Sequence, residues 1–349
     1  MSLSQPTRPT MRDVAALAGV SLKTVSRVIN GTPTVDPALV SQVQRAAAQL
    51  NYRPNLTASS LRRRDGRSLM IGLILEDIAN PYSSAIYRSV EDVARALGVG
   101  VLAGSIDEDA ERERELAGAL FLRRVDGLIM VPAGQDHSYL LHEMKMGTAV
   151  LFVDRPPTYL AADSVVSDNR AGAANGVRYL ISHGHRRIAY LGDLASIATA
   201  QERFAGYRDA LREAGLTLDH HLVRHNLHTI DAAAAAATEL LTGPKPPSAL
   251  FSEQNLVTIG TVRALRAAAL QHRTALVGFD DFPLADLLEP GVMVVAQDPA
   301  AIGKLAAEIL FRRIHGDVSP VQEHVVPTRL IKRASGTIPP LVRQHPFGV

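Results

Sequence analysis

The hydrophobic rhythm of the chain changes once, near residue 69. Before it, apolar residues recur at helical spacing in short stretches; after it, continuous apolar runs alternate with helical ones. In the stretch 11–30, Val14, Ala15, Leu17 and Ala18 form one helical stripe behind Thr10, an N-cap whose Asp13 sits three residues on as in a capping box. Gly19 ends that helix. Ser21 caps a second, in which Val25, Val28 and Ile29 turn inward while Leu22, Lys23, Thr24, Ser26, Arg27 and Asn30 point outward. A third helix starts at Asp36 as N-cap with Pro37 in the first helical position and Val35 able to staple against Val40. Leu39, Val43, Ala46, Ala47 and Leu50 continue its apolar face. Two short helices across a glycine turn, closed by a third, predict a small all-α helix-turn-helix head. Its second helix is rich in short hydrogen-bonding side chains that suit a major groove.

Downstream, the runs MIGLIL (70–75), VGVLAG (99–104), DGLIMV (126–131), TAVLFV (148–153) and SVVSD (164–168) predict strands, with helices near 82–97, 111–123, 136–145 and 170–183. A second series, RIAYLG, SALFS, TALVGFD and VMVVAQ, is separated by helices near 201–214, 231–241 and 255–269. Unbroken apolar strands alternating with helices indicate α/β architecture with parallel sheets covered on both faces. Two series predict two subdomains with a ligand cleft between them. In such sheets ligands bind at the carboxyl ends of the strands, where Asp77, Asp154 and Asp280 fall. A late helix at 300–314 and a strand near 324–327 are expected to cross back between the subdomains. The alanine run 232–237 reads as helix.

Composition adds an asymmetry of charge. The 349 residues, 46% apolar and 21% charged, are ordinary for two or three globular domains. No apolar run approaches the roughly eighteen residues of a membrane span, and the first residues lack an apolar signal core. The expected place is the cytoplasm, with no membrane partner. The absence of cysteine excludes disulfides and thiolate metal sites. The net charge of +2 conceals ten Lys/Arg against three Asp in residues 1–67, and hence an acidic remainder. A basic head on an acidic body is the electrostatic footprint of nucleic-acid binding. Between them, residues 51–64 (NYRPNLTASSLRRR) are too short and polar to form a helix alone. They fit a basic linker, or a segment that folds when DNA and a second copy supply contacts, with a leucine wedged between base steps.

The motifs DVAALAGVSLKTVSRVING, YRPN followed by ASSLR, IGLILEDIANPYSS, RRVDGLIMVP, VSDNRAGA, GHRRIAYLG, RFAGYRDAL and VGFDDFPLADLL occur in one order from Thr10 to about Ser335. Over that length the chain resembles the lactose-repressor (LacI/GalR) family of transcription regulators. The resemblance implies a disordered arm at 1–9, a DNA-binding head at 10–54 and a hinge helix and linker at 55–67. It further implies a periplasmic-binding-protein-like core at 68–340, with subdomain 1 about 68–167 plus 297–323 and subdomain 2 about 168–296 plus 324–340. It implies a homodimer or tetramer whose heads bind a pseudo-palindromic operator; the tail 338–349 shows no leucine-heptad helix of the kind that builds tetramers, so a homodimer is expected. By matching position, Leu22 and Lys23 read operator bases, with Ser21, Thr24, Ser26, Arg27 and Asn30 completing groove and phosphate contacts. Asn55, Thr57, Ala58 and Leu61 belong to the hinge. Arg203 and Asp280 match cleft positions, as do Tyr82, Asp154, Thr199 and Gln254; an arginine with carboxylates suits vicinal hydroxyls, so a sugar or polyol effector is expected. The sequence departs from the family at Ser252-Glu253-Gln254-Asn255, where an Asn-Asp pair is usual. Gln254-Asn255 keeps amides but drops the carboxylate.

Other chemistry finds little support. His183-Gly-His185 follows a helix and is expected to cap its C-terminus, not to bind metal. His220, His221, His225 and His228 sit in an expected surface segment without acidic partners. There is no P-loop, no GxSxG and no GxGxxG at a strand-to-helix turn, so neither enzyme activity nor a cofactor is expected. The reading is an effector-controlled repressor. Its alternatives are a co-repressed regulator responding to purine or another metabolite, a sugar-binding protein, and a sugar-processing enzyme.

Overall fold

The computed structural model describes residues 8–29, 32–53 and 67–340. The chain divides into two compact units, Met1–Ser68 and Leu69–Val349.

The head contains α1 (Met11–Leu17), α2 (Leu22–Ile29) and α3 (Pro37–Gln49). The capping box forms: Thr10 N–H donates to Asp13 Oδ2 at 2.7 Å, and Asp13 N–H to Thr10 Oγ1 at 3.4 Å. Gly19 takes φ +61° in the turn, a left-handed conformation in which glycine carries no Cβ penalty. Val14, Ala15, Ala18, Val25, Val43 and Ala46 are buried together, and Val28 and Ile29 pack half-buried against them. Leu17, expected in that stripe, is instead 46% exposed. It closes a seven-residue helix whose inward face is already filled.

The core unit builds two six-stranded sheets. In the first lobe β1 (Met70–Leu75), β2 (Gly100–Ser105), β3 (Gly127–Met130), β4 (Ala149–Asp154), β5 (Asp163–Ser167) and β11 (Glu323–Val326) lie in the order β11-β5-β4-β3-β1-β2, all parallel. The second has β6 (Ile188–Leu191), β7 (Val223–Arg224), β8 (Ala249–Ser252), β9 (Ala275–Phe279), β10 (Met293–Ala296) and β12 (Arg329–Ile331), ordered β12-β10-β9-β8-β6-β7. Only β12 runs antiparallel. Around the sheets lie α4 (Pro81–Ala96), α5 (Ala110–Leu122), α6 (Leu141–Lys145), α7 (Asn169–Ser182), α8 (Ala198–Glu213), α9 (Ile230–Thr242), α10 (Asn255–Ala267) and α11 (Pro299–Ile314). Ile71, Leu73, Ile74 and Leu75 are all fully buried, which is why β1 shows no polar alternation.

The chain changes lobes three times, and the third crossing corrects the expected boundary. The expected boundary puts residues 324–326 in subdomain 2, yet β11 pairs with β5 from Glu323↔Ser164 to Val326↔Ser167, so they belong to the first lobe. As an edge strand, β11 shows a mixed exposed and half-buried pattern that carries no mark of which sheet it joins.

One buried charge fastens the loop after β3. Glu113 on α5 has no exposure; its carboxylate accepts from Ala133 N–H (2.5 Å), Gly134 N–H (2.9 Å) and the Tyr139 hydroxyl (2.7 Å), with His137 Nε2 3.6 Å away. Burial pushes this carboxyl up, but the His137 ring, both backbone donors and Tyr139 together draw it from 4.5 down to about 2. A depressed folded-state value means that the stabilisation is present above about pH 4.5 and is lost as pH falls toward 2. Glu113→Gln is expected to cost roughly 2–3 kcal/mol at pH 7. Urea unfolding at pH 7 and between pH 4.5 and 2 checks this: the variant should lose stability with acid less steeply than the wild type, and parallel curves would remove Glu113 as the source.

Candidate functional site

Two surfaces stand out, one on each unit. In the head, α2 is anchored by fully buried Val25. Around it the structure leaves Ser21, Lys23 and Arg27 exposed, Leu22 44% exposed, and Thr24 and Ser26 half-buried. Ser21 Oγ accepts from Thr24 N–H at 3.1 Å and lies 2.9 Å from the Thr24 hydroxyl, so this serine caps the helix while the apolar and cationic tips project beyond it. Arg27 Nη2 donates to Thr34 Oγ1 at 2.6 Å, which orients the guanidinium from the loop ahead of α3. Asn30, Asn55, Thr57, Ala58 and Leu61 lie outside the described residues.

In the core, all six expected cleft residues, Tyr82, Asp154, Thr199, Arg203, Gln254 and Asp280, line one space between the lobes, of about 70 Å³. Asp154 ends β4 and Asp280 follows β9, and these strands hold the same place in the two sheet orders. Both take left-handed φ, +72° and +67°, a strain of roughly 1–3 kcal/mol each that residues without glycine's freedom adopt when their surroundings force it. A chain of polar groups joins them. The Tyr82 hydroxyl lies 3.1 Å from Asp154 Oδ1 and 3.2 Å from Gln297 Oε1, and Gln297 Nε2 donates to Asp280 Oδ1 at 2.7 Å. One phenolic proton cannot serve both acceptors, so the chain has room for a further donor.

Arg203 closes the far end. Its guanidinium stacks 4.0 Å over the Phe279 ring, donates to Asn169 Oδ1 and to the Glu253 carbonyl at 2.8 Å each, and lies 3.8 Å from Asp280 Oδ2. Burial pushes the Asp280 carboxyl up, against the opposing pull of Arg203 and Gln297. Burial likewise raises the Tyr82 hydroxyl, so it stays a donor.

Several cleft groups escaped the sequence reading. Asp77 is not among them: its carboxylate accepts Ala79 N–H at 2.8 Å within a turn, and the preceding residue, Glu76, faces the cleft instead. Burial and the nearby Glu108 charge push Glu76 up to about 7. Arg155 grips Glu108 through two bonds of 2.8 and 2.6 Å and lies 3.2 Å from Asp154. His228, expected on the surface without an acidic partner, lines the cleft with Nδ1 2.7 Å from Asp193 Oδ1. That bond raises His228 and holds Asp193 low against its burial. Gln254 Nε2 donates to Asp193 Oδ2 at 3.1 Å. The carboxylate missing at 254–255 therefore returns from Asp193, while Glu253 turns inward to Tyr190 and Asp193 N–H. Asn255 Nδ2 donates to Asn80 Oδ1 at 2.8 Å across the lobes.

His183 does cap α7, with its ring stacked on Tyr179 at 4.2 Å, whereas His185 is buried between Ser248 and the Ile338 carbonyl. Among the described residues no group of three His, Cys, Asp or Glu could hold a metal, and no helix is long and apolar enough to cross a membrane.

Comparison with known proteins joins both surfaces in one family. Residues 10–55 match the model for bacterial regulatory proteins of the lacI family, and residues 177–336 match the periplasmic binding protein-like domain. The chain is 30% identical to the ribose operon repressor of Haemophilus influenzae, over 87% of this chain and 92% of that one. The chain belongs to the lacI family of bacterial regulatory proteins. It is also 33% identical to the HTH-type transcriptional regulator CelR of Thermobifida fusca, over 94% of this chain and 98% of that one. The solved lac repressor dimer bound to operator and the anti-inducer ONPF matches with TM-score 0.84 at 26% identity, over 95% of this chain and 100% of that one. Members of the lacI family are DNA-binding transcription regulators and not enzymes, and this chain is such a regulator, with an effector-binding core.

In this lacI-family core the position of Arg203 depends on a close helix crossing. A Cβ on Gly206 of α8 would lie 2.2 Å from the Arg170 carbonyl of α7, the helix that also carries Asn169. Gly206→Ala is expected to part the helices and destabilise the core by roughly 1–3 kcal/mol. Gly118→Ala on α5, where nothing lies within 4 Å of the new Cβ, should be neutral or stabilising. Equal urea midpoints for the two variants would contradict the crossing argument.

Proposed function

We propose that this regulator is a cytoplasmic homodimer on a pseudo-palindromic operator and that its effector is a small, uncharged, hydroxyl-rich molecule, a sugar or polyol. The observation that carries the effector reading is the charge of the cleft. Arg155 is taken by Glu108 and Asp154, Arg203 faces Asp280, and His228 is bound to Asp193. Glu76 makes no hydrogen bond or ion pair through its side chain among the described residues. Each cation already has a carboxylate, so a phosphate or acid group would enter against the remaining negative charge. Hydroxyls face no such cost. They can donate to Asp154, Asp280 and Gln297 and accept from amides, the pairing that carboxylates and an arginine offer to vicinal diols.

A purine-type effector has less to hold it. Tyr82 and His228 are the two rings among the residues lining this space; the Tyr82 hydroxyl is engaged with Asp154 and Gln297, and the His228 ring is held by Asp193. The ribose operon repressor among the relatives agrees with a sugar class.

In the head, Lys23 is proposed to donate to guanine O6 or N7 and Leu22 to meet a thymine methyl, with Ser21, Thr24, Ser26 and Arg27 on groove and phosphate. Asn30 and the hinge residues Asn55, Thr57, Ala58 and Leu61 complete the operator contact in the same reading. Effector binding changes the relation of the lobes, and the coupling to operator affinity is of the usual order, about 1–3 kcal/mol.

A thermal-shift screen of the purified protein against neutral sugars, polyols, sugar phosphates, sugar acids and nucleobases tests the effector class. Neutral sugars or polyols should stabilise it; stabilisation by phosphorylated sugars alone would overturn the reading. Asp280→Asn should bind operator normally in a gel shift and lose the effector response at least tenfold. Lys23→Ala should weaken specific operator binding about tenfold or more, worth roughly 1–3 kcal/mol, while non-specific DNA affinity falls far less. Equal losses on both DNAs would make Lys23 a phosphate contact only.

A further inference from the structure

Asn255 opens α10 in the second lobe and is 2% exposed, while Asn80 caps α4 in the first, its Oδ1 accepting from Tyr82 N–H at 3.0 Å. The two amides face each other across the lobes. Asn255 Nδ2 donates to Asn80 Oδ1 at 2.8 Å, and Asn80 Nδ2 donates back to Asn255 Oδ1 at 3.4 Å. The cap decides which way round the pair lies, because an oxygen that accepts from Tyr82 N–H can meet Asn255 only through a donor. Both ends of this bridge continue into the strand-end carboxylates: the Asn255 backbone N–H bonds to Asp280, and the Tyr82 hydroxyl lies 3.1 Å from Asp154 Oδ1. The departure from the family's Asn-Asp pair thereby acquires a reason. An aspartate at 255 would bring no donor to Asn80 Oδ1, whereas the asparagine brings one and keeps an acceptor for Asn80 Nδ2.

We propose that Asn80 and Asn255 form an amide clasp that holds the two lobes closed and sets how often the cleft opens. They are positioning residues for the exchange of whatever the cleft holds. Asp154, Arg203 and Asp280 are at most 9% exposed, so a molecule bound among them enters and leaves when the lobes part, and parting breaks the clasp. The pair is uncharged, so its strength does not follow the ionisation of the carboxylates around it. It rests on hydrogen bonds alone and is independent of the effector's class.

Thiol alkylation of the full chain tests the clasp. The sequence has no cysteine, so Ser83→Cys, at a cleft-lining position 3% exposed, supplies a single thiol whose rate of reaction with iodoacetamide reports opening. In that background Asn255→Ala should speed alkylation about tenfold. Asn255→Asp should do the same, since it sets a carboxylate oxygen against Asn80 Oδ1. Asn80→Asp keeps both the cap on α4 and the acceptor for Asn255 Nδ2, and should stay within about twofold of the parent rate. A role in filling space would treat these two aspartate variants alike. Ala117→Cys, fully buried in the first lobe outside the cleft, reports global unfolding instead, and its rate should not change with Asn255→Ala. Unchanged rates at Ser83→Cys, equal acceleration by the two aspartate variants, or equal acceleration at both reporters would each overturn the clasp. No effector enters the measurement, so its failure leaves the sugar reading of the cleft standing, and failure of that reading leaves the clasp.

Discussion

Everything in the core converges on holding two carboxylates at the ends of two strands. Asp154 and Asp280 stand in different lobes, yet Tyr82 and Gln297 connect them through hydrogen-bond distances of 3.1, 3.2 and 2.7 Å. Tyr82 enters from α4 in the first lobe, Gln297 from the crossover after β10, and Arg203 from α8 in the second. No one element owns the site. A group donating hydroxyls to this chain touches both lobes and a crossover at once, so its binding energy acts on their relative position as well as on affinity.

The two lobes make this possible by repeating one plan. In each, the third strand of the sheet order ends in an aspartate with left-handed φ, and in each a buried glutamate braces the neighbouring loops: Glu113 behind β3 in the first, Glu253 after β8 in the second. The braces behave differently. Glu113 collects enough donors to stay ionised, with its carboxyl drawn down to about 2, whereas burial pushes Glu253 well above the usual range. A charge in the second brace would be repelled by Asp280, which adds to the effect of burial.

This repetition also explains what could be read from the residues. Strands buried on both faces lose their polar alternation, so MIGLIL and TALVGFD are legible as runs, while the two-residue β7 and the edge strands β11 and β12 carry too little pattern to place. The rule that ligands meet strand ends found Asp154 and Asp280. It slipped by one at β1, choosing Asp77, whose carboxylate closes a turn, over Glu76. Partnerships across long separations stayed hidden: His228 meets Asp193 from 35 residues away, and Asp193 restores the carboxylate that Gln254-Asn255 lacks from 61 residues away. In the head, the capping box and the Asp36 cap were legible because their partners lie two or three residues off.

The contrast between the units bears on how a ligand signal becomes a DNA signal. Among the described residues the head's core is six small or medium side chains, with Val25 the single buried residue of the helix that carries Lys23. The lobes bury four extended clusters. A domain of some fifty residues has little stability to spare, whereas a core several times longer loses almost nothing to a coupling of about 1–3 kcal/mol. The same free energy that leaves the lobes folded in either arrangement is large enough to change DNA affinity by roughly 5–150-fold, and the readout falls in the basic part of the chain, where the charge is concentrated.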